Sequence, residues 1–296
     1  MQGTGAWPRT YSSRRSVSAS TSRRSSHGIA VAFILYTLTG LGFIAYLFVR
    51  ANAFLVVLRA LYGLSVAAHA VSFISLWWAS GQLPVETPME SLNMLVLFSS
   101  LAFIPFVLKR KTAILAAFFL PAASIVLAFI APTLQAGTEV LSNPHRTWHV
   151  LHTLSVIAGE AFFVVAAIAS IVYLIHERII RKGTIHLSIS PLPPLALLDG
   201  ILYGSLALGF FAITVGMILG GLWASALGIA FSSIAPKVAA GALLWLVFGL
   251  SLHQRFALGW KGKRTAIITL IGFFLMVLLF VGINVAFPES HGIRLI

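Results

Sequence analysis

Histidines inside or beside long apolar stretches are the residues of this sequence best suited to chemistry. His69 and His253 each lie within an apolar run, His152 begins another run, and His291 follows the last one. Polar groups at membrane depth are costly, so each needs a partner or a function. Neutral imidazole is a good ligand for haem iron, and two histidines from different helices can hold one haem in a bundle. The pattern therefore suggests haem ligation.

The side of the membrane on which each histidine falls suggests how they pair. His152 and His291 are expected on the same, outer side, where they would form one pair of axial ligands. His69 and His253 would form a second, inner pair, although His253 is expected nearer the inner end of its helix. In the alternative interpretation, each histidine is a packing residue that is hydrogen-bonded to a neighbour. The pattern alone leaves both interpretations open.

Two other sets of polar residues point to different chemistry. His145, His149 and His152 recur at helical spacing and could bind a divalent metal, but no matching carboxylate or thiolate accompanies them. Glu160 lies two turns beyond His152 on a similar face. This carboxyl group is interpreted either as a proton relay or as a buried neutral group bonded to a neighbour.

The composition indicates which elements must position these side chains. Hydrophobic residues make up 59% of the 296 residues, charged residues only 9%, and the mean hydropathy is +0.97. Soluble domains carry roughly 25% charged residues, so this chain could not cover its surface in water. Helices satisfy their own backbone hydrogen bonds in a bilayer. We therefore predict an all-α polytopic membrane protein, a bundle of about eight transmembrane helices.

The charge distribution and the absence of cysteine exclude several function classes. The net charge of +13 arises from the N-terminal tail and from short loops between apolar runs, as orienting charges do in membrane proteins. Nucleic acid is therefore not expected as a partner, whereas the lipid bilayer is. The chain contains no cysteine, which rules out disulfides, thiolate metal sites and thiol redox chemistry of its own.

Apolar runs of about 20 residues, the length that crosses the hydrocarbon core, predict the individual helices. The predicted spans are 29–49, 54–79, 91–108, 113–131, 150–175, 200–222, 238–256 and 266–286. The basic clusters at 109–111, 178–182 and 255–264 then share one side, which the positive-inside rule makes cytoplasmic. The N-terminus falls on the outer side, against the preference of its arginines.

The first 27 residues differ in composition from the rest of the chain. They are rich in Ser and Arg and contain no Asp or Glu. This composition is typical of an organelle transit peptide, of a disordered tail, or of a start codon assigned too early. We predict a tail at 1–27 and a transmembrane haem-handling domain at 28–296. A bacterial inner membrane is the expected location, or an organelle membrane if the tail is a transit peptide.

An ordered set of residues in the second half of the chain carries a family resemblance. Pro236–Lys237 is followed by Trp245 nine residues after the proline, and by His253 and Arg255 seventeen and nineteen residues after it. Upstream lie Trp148 and His152, and further matches extend to His291. Over roughly residues 29–296 this order resembles the haem-handling cytochrome c assembly family, the CcsA, CcmC and HemX group.

The resemblance implies a cofactor and specific ligands. It makes His152 and His291 the axial ligands of an outer haem b, and His69 and His253 those of a second, transmembrane haem b. Trp223 is what remains of the family's tryptophan-rich stretch, whose acidic position here is Ala235. Aromatic side chains supply a stacking surface for a porphyrin. Their loss favours a HemX-like role over presentation of haem to an apocytochrome.

Three function classes follow. We expect a haem-binding component of haem trafficking or cytochrome c biogenesis, or an accessory of haem metabolism, rather than a stand-alone enzyme. Its partners would be haem and other biogenesis subunits. The alternative is a di-haem redox subunit that exchanges electrons with quinone. A haem-free transporter or structural subunit is the third class.

Overall fold

The computed structural model describes residues 10–134, 146–182 and 192–286, and the side chains of residues 28–283 within those ranges. The helices of these ranges, in chain order, are α1 Thr10–Tyr46, α2 Asn52–Ser80, α3 Pro88–Leu108, a 3-10 turn Ala113–Leu115 leading into α4 Ala116–Ile130, α5 Arg146–Arg181, α6 Leu195–Ala226, α7 Phe231–Leu258 and α8 Lys263–Ala286. The described residues form no strand, and the predicted all-α fold is confirmed.

Eight segments of the described chain are long and apolar enough to cross a membrane, the fourth being α4 together with its 3-10 turn, and the predicted number of spans is confirmed. Several helices extend beyond the predicted limits: α5 continues at both ends of 150–175, and α6 at both ends of 200–222. The prediction counted apolar residues only, whereas a helix continues through polar residues at the membrane surface. The separation of a tail at 1–27 from the remainder stays a prediction.

Two polar contacts between helices and loops identify the two ends of the bundle. The α2–α3 loop meets the start of α5, where Glu86 Oε2 lies 3.4 Å from His149 Nδ1. We call this end outer, and it also carries the α6–α7 turn. At the opposite, inner end the Nε–H of Arg59 on α2 donates to the carbonyl oxygen of Val107 on α3 (3.0 Å). The predicted spans likewise place the connection between the second and third helices on the same side as the start of the fifth helix.

The start of α3 is fixed by a capping box, which also positions Glu86. Thr87 Oγ1 accepts from the backbone N–H of Glu90, and Glu90 Oε2 accepts from the backbone N–H of both Thr87 and Glu86. Pro88 occupies the first turn, where its missing N–H costs nothing. These bonds hold the residue before the helix in one conformation, so Glu86 reaches α5 from a rigid support.

The closest helix packing in the bundle joins α5 to α6 through glycine. A Cβ added at Gly159 would lie 2.9 Å from the carbonyl oxygen of Gly209, and a Cβ at Gly209 would lie 2.9 Å from that of Gly159. Two turns towards the outer end of α6, Gly216 packs closely against Val156. Small residues let membrane helices approach closely. The backbone of α6 therefore lies directly against the side chains of α5.

At the inner end, one carboxylate connects three elements. Asp199 at the start of α6 accepts two hydrogen bonds from the guanidinium of Arg255 on α7, each 2.7 Å long, and one from the backbone N–H of Gly262 before α8 (2.8 Å). The guanidinium also lies over the ring of Tyr203, 4.4 Å from its centroid. A bidentate pair of this kind is geometrically specific. It fixes α6, α7 and α8 relative to one another.

Replacing this carboxylate should destabilise the carboxyl-terminal half. We expect Asp199→Asn to lower the free energy of unfolding by about 2 kcal/mol, because the largely buried Arg255 loses its counter-charge. Thermal unfolding in detergent measures the effect. Glu177→Gln is the matched control, since it removes an exposed i,i+4 pair with Arg181 and should cost about 0.5 kcal/mol or less. Equal effects of the two variants would contradict the proposed role of Asp199.

Candidate functional site

His152 is held at the α5–α6 contact by a hydrogen bond to the backbone. Its Nδ1–H donates to the carbonyl oxygen of Gly216 at 2.7 Å. A carbonyl oxygen can only accept, so Nδ1 carries the proton and Nε2 retains its lone pair. Within the described ranges Nε2 makes no hydrogen bond. Metal-bound histidines are typically oriented in this way, with the second nitrogen donating to a carbonyl or carboxylate.

The second feature of the site is that Gly220 leaves room for the imidazole. A Cβ at this position would lie 2.7 Å from His152 Nδ1 and 2.8 Å from its Cε1. Any larger residue would therefore push the ring off the α6 backbone. Gly221, the next residue, has open space on its own side of the helix. Glycine at position 220 therefore makes room for the His152 ring, and this role does not depend on the flexibility of the helix.

Trp223 covers the outer face of this histidine. Its ring lies 6.4 Å from the His152 ring at an interplanar angle of 20°, and 4.6 Å from the His149 ring at 37°. Its Nε1–H is buried and meets no acceptor among the described residues. An unsatisfied buried donor is costly, so this indole is able to donate a hydrogen bond that no described residue accepts. The predicted site residues His152 and Trp223 are therefore brought together.

The α2–α3 loop borders the same region through Glu86. Burial raises the pKa of Glu86, but the contact with His149 and the charge of Arg146 outweigh it and leave the pKa below its ordinary value. The carboxylate therefore stays ionised beside His149. His145 lies outside the described residues, and the described side chains contain no group of three that could hold a metal ion. His149 contacts the carboxylate of Glu86 and the ring of Trp223.

His291, the predicted partner of His152, lies outside the described residues. Helix α8 ends at Ala286 at the outer end of the bundle and packs against both α5 and α7.

The predicted inner histidines are in different parts of the bundle. His69 on α2 is fully buried; its Nε2–H donates to Asn93 Oδ1 (2.9 Å), and its Nδ1 lies 3.4 Å from Tyr36 Oη. The Tyr36 hydroxyl in turn donates to Ser100 Oγ (2.8 Å). His253 lies exposed on α7, which packs against α6 and α8, whereas α2 packs against α1 and α3. The structure does not bring the two imidazoles together, and ligation by them stays a prediction.

One polar feature near the outer site was not predicted as a site. A cleft of about 190 Å³ between α5, α7 and α8 is lined by Glu160 and Lys237, with apolar walls from α7 and α8. The sequence interpretation had noted Glu160 alone and treated Lys237 only as part of a motif. Their spacing of 77 positions gives no local signal. Both line the cleft because α8 packs against α5 and against α7.

Comparison with known proteins identifies the relatives of this chain. The sequence model of the family described as "Cytochrome C assembly protein" matches residues 88–291, which include His152, Trp223, His253 and His291 but not His69. The cytochrome c biogenesis protein CcsA of Prochlorococcus marinus (strain MIT 9303) is 26% identical over 237 residues, covering 70% of this chain and 74% of the relative. The protein of that name from Parasynechococcus marenigrum (strain WH8102) is 24% identical over 282 residues, covering 83% and 92%.

The geometry predicts opposite outcomes for alanine at two adjacent glycines of α6. Gly220→Ala should displace the His152 ring, break its bond to Gly216 and lower the free energy of unfolding by about 2 kcal/mol. Gly221→Ala meets open space and should be neutral or stabilising by up to about 1 kcal/mol. Thermal unfolding of the two variants in the same detergent provides the comparison. Similar midpoints would show that the close contact at Gly220 is not needed.

Proposed function

The chain belongs to the cytochrome c assembly protein family, and from this premise we propose that it holds haem at the outer end of its helix bundle, as a haem-trafficking component of cytochrome c biogenesis. The observation that carries the proposal is the orientation of His152. Its Nδ1–H is bonded to the Gly216 carbonyl, and its Nε2 is left without a described partner. Haem iron has two axial positions, which suit neutral imidazole nitrogens.

The surroundings of His152 support a porphyrin ligand. Trp223 packs nearly parallel to the imidazole and holds it in place, and its buried indole N–H, which lacks an acceptor in the described structure, is a donor available to a ligand. We propose that His152 provides one axial ligand and His291 the other. The chain itself would bind and orient one haem b at this outer site. With Trp223 as the only tryptophan of the stretch between 223 and 235, holding haem is favoured over presenting it to an acceptor, as in a HemX-like role.

The inner histidines give less support to a second haem. In the described conformation both ring nitrogens of His69 face polar partners, and His253 is exposed on a different pair of helices. Residues so placed do not fit one haem held between them. The proposal therefore concerns the outer site alone. The alternative of a di-haem redox subunit needs both sites, and no observation in the described structure favours it.

We propose that the chain acts with other subunits of cytochrome c biogenesis in a bacterial inner membrane. Its eight apolar helices establish it as a multi-pass membrane protein. The described outer connections are short: residues 81–87 join α2 to α3, and residues 227–230 join α6 to α7. Connections of this length leave the candidate site close to the membrane surface, where another subunit could receive or deliver the haem.

The proposal predicts a specific spectroscopic change for His152→Ala. Wild-type protein purified in detergent should show a Soret band and a b-type α-band of six-coordinate, low-spin haem. His152→Ala should lose the low-spin spectrum because one axial ligand is missing, and added imidazole should restore it. Absorption and electron paramagnetic resonance spectra measure this, with haem content from a pyridine haemochrome assay. Colourless wild-type protein that does not take up added haem would eliminate the proposal.

His176→Ala is the matched control for this experiment. His176 lies on the same helix and its Nδ1–H also donates to a backbone carbonyl, that of Pro193, at 2.9 Å, but at the inner end. Its replacement should leave the haem spectrum unchanged. A spectrum that His176→Ala alters as much as His152→Ala does would indicate a general folding effect instead of ligation.

His291→Ala tests the second ligand separately. If residue 291 supplies the other axial nitrogen, this variant should also lose the low-spin spectrum and regain it with imidazole. Haem content and spectrum are measured as above. An unchanged spectrum would assign the second position to another group, while leaving the result for His152 intact.

A further inference from the structure

The cleft between α5, α7 and α8 combines two polar groups with apolar walls. Glu160 and Lys237 line it, and Leu244, Met276 and Phe280 are among its apolar neighbours. Glu160 makes no hydrogen bond or ion pair within the described ranges. Charged and polar side chains at membrane depth are rare and mark ligand or ion sites. The cleft is therefore a candidate binding site in its own right.

The cleft adjoins the outer site on the neighbouring face of α5. Glu160 follows His152 by eight residues, which corresponds to about 12 Å along the helix and about 80° around it. His152 thus faces α6, while Glu160 faces α7 and α8. Lys237 lines the cleft from the second turn of α7, directly after the outer α6–α7 turn, so its ammonium group lies towards the same end of the bundle as His152. A ligand held at His152 would extend towards this lysine.

The chemistry of the cleft suits an amphiphile that carries a carboxylate. The ammonium of Lys237 is a donor without acceptor capacity, and a neutral carboxyl at Glu160 would donate as well. The walls are apolar, so they favour the hydrocarbon part of a ligand. Haem has this character, because its two propionate carboxylates project from one edge of an apolar macrocycle.

We propose that Lys237 binds a propionate carboxylate of the haem whose iron is held by His152, so that the α5–α7–α8 cleft receives the carboxylate edge of the porphyrin. This inference rests on the proposed function, and it adds a second point of attachment that sets the rotation of the macrocycle about the His152–iron axis. The long side chain of Lys237 lets the ammonium follow the carboxylate while its methylenes stay against apolar wall.

Haem and its dimethyl ester, which lacks the free carboxylates, separate this contact from ligation. Both pigments are titrated into the full chain in nanodiscs of zwitterionic phosphatidylcholine, and dissociation constants are read from the Soret band. Wild type should bind haem roughly tenfold more tightly than the ester, as expected for one charge-assisted hydrogen bond. Lys237→Gln should bind both pigments with the affinity that wild type has for the ester. Lys237→Arg should keep the preference.

Lys263→Gln is the matched control, because it removes one exposed lysine charge at the inner end and should leave the preference unchanged. A Lys237→Gln protein that still prefers haem, or that loses affinity for both pigments equally, overturns the inference. So does a preference that depends on Lys237 only in nanodiscs containing anionic lipid, since the lysine would then bind a lipid headgroup. His152→Ala should lower the affinity for both pigments by the same factor. If the wild-type protein binds neither pigment, the proposed function and this inference are both overturned.

Discussion

The hydrogen bond between His152 and the carbonyl of Gly216 depends on a contact between α5 and α6 that only glycine permits. Gly209 and Gly216 bring the α6 backbone against α5, and Gly220 leaves the space that the imidazole occupies. In a bilayer, helices associate through close packing and hydrogen bonds because lipid tails are as apolar as the side chains they replace. The same contact that joins the two helices thus determines which nitrogen of His152 carries its proton. The residues that pack α5 against α6 are therefore the same residues that orient His152 for ligand binding.

The polar groups of the described bundle fall into an outer and an inner set with different consequences. At the outer end, Trp223 retains an unused donor and Glu160 an unpaired carboxyl, both next to His152 or Lys237. At the inner end, Asp199 is saturated by Arg255 and Gly262. Asp199 and its partners therefore fix α6, α7 and α8 relative to one another. Buried atoms without a described partner also occur nearer the inner end, at Ser251 Oγ and Gln254 Oε1. A ligand is expected at the outer end because its unpaired groups lie beside the oriented imidazole of His152.

The sequence predicted the features that hydropathy controls and missed those that depend on helix rotation. All eight spans were predicted because a bilayer demands continuous apolar runs, and His152 was selected because of its position at the start of one run and its family spacing. Core-facing and lipid-facing sides are equally apolar, so the sequence does not show which face of α2 turns inward. The network of His69, Asn93 and Tyr36 was therefore not predicted. The sequence also did not predict that Glu160 and Lys237 line one cleft, because this depends on how α5, α7 and α8 pack together.

The most direct test of the account is the nitrogen spectrum of His152 itself. Protein labelled with ¹⁵N-histidine in lipid, compared with His152→Ala for assignment, reports the protonation of each ring nitrogen by solid-state magnetic resonance. Before haem is added, we expect a protonated, hydrogen-bonded Nδ1 and an unprotonated Nε2. Addition of ferric haem should shift or broaden the Nε2 signal through the iron, while Nδ1 stays protonated. An Nε2 that carries the proton, or one that is unchanged in protein loaded with haem, would contradict ligation by His152.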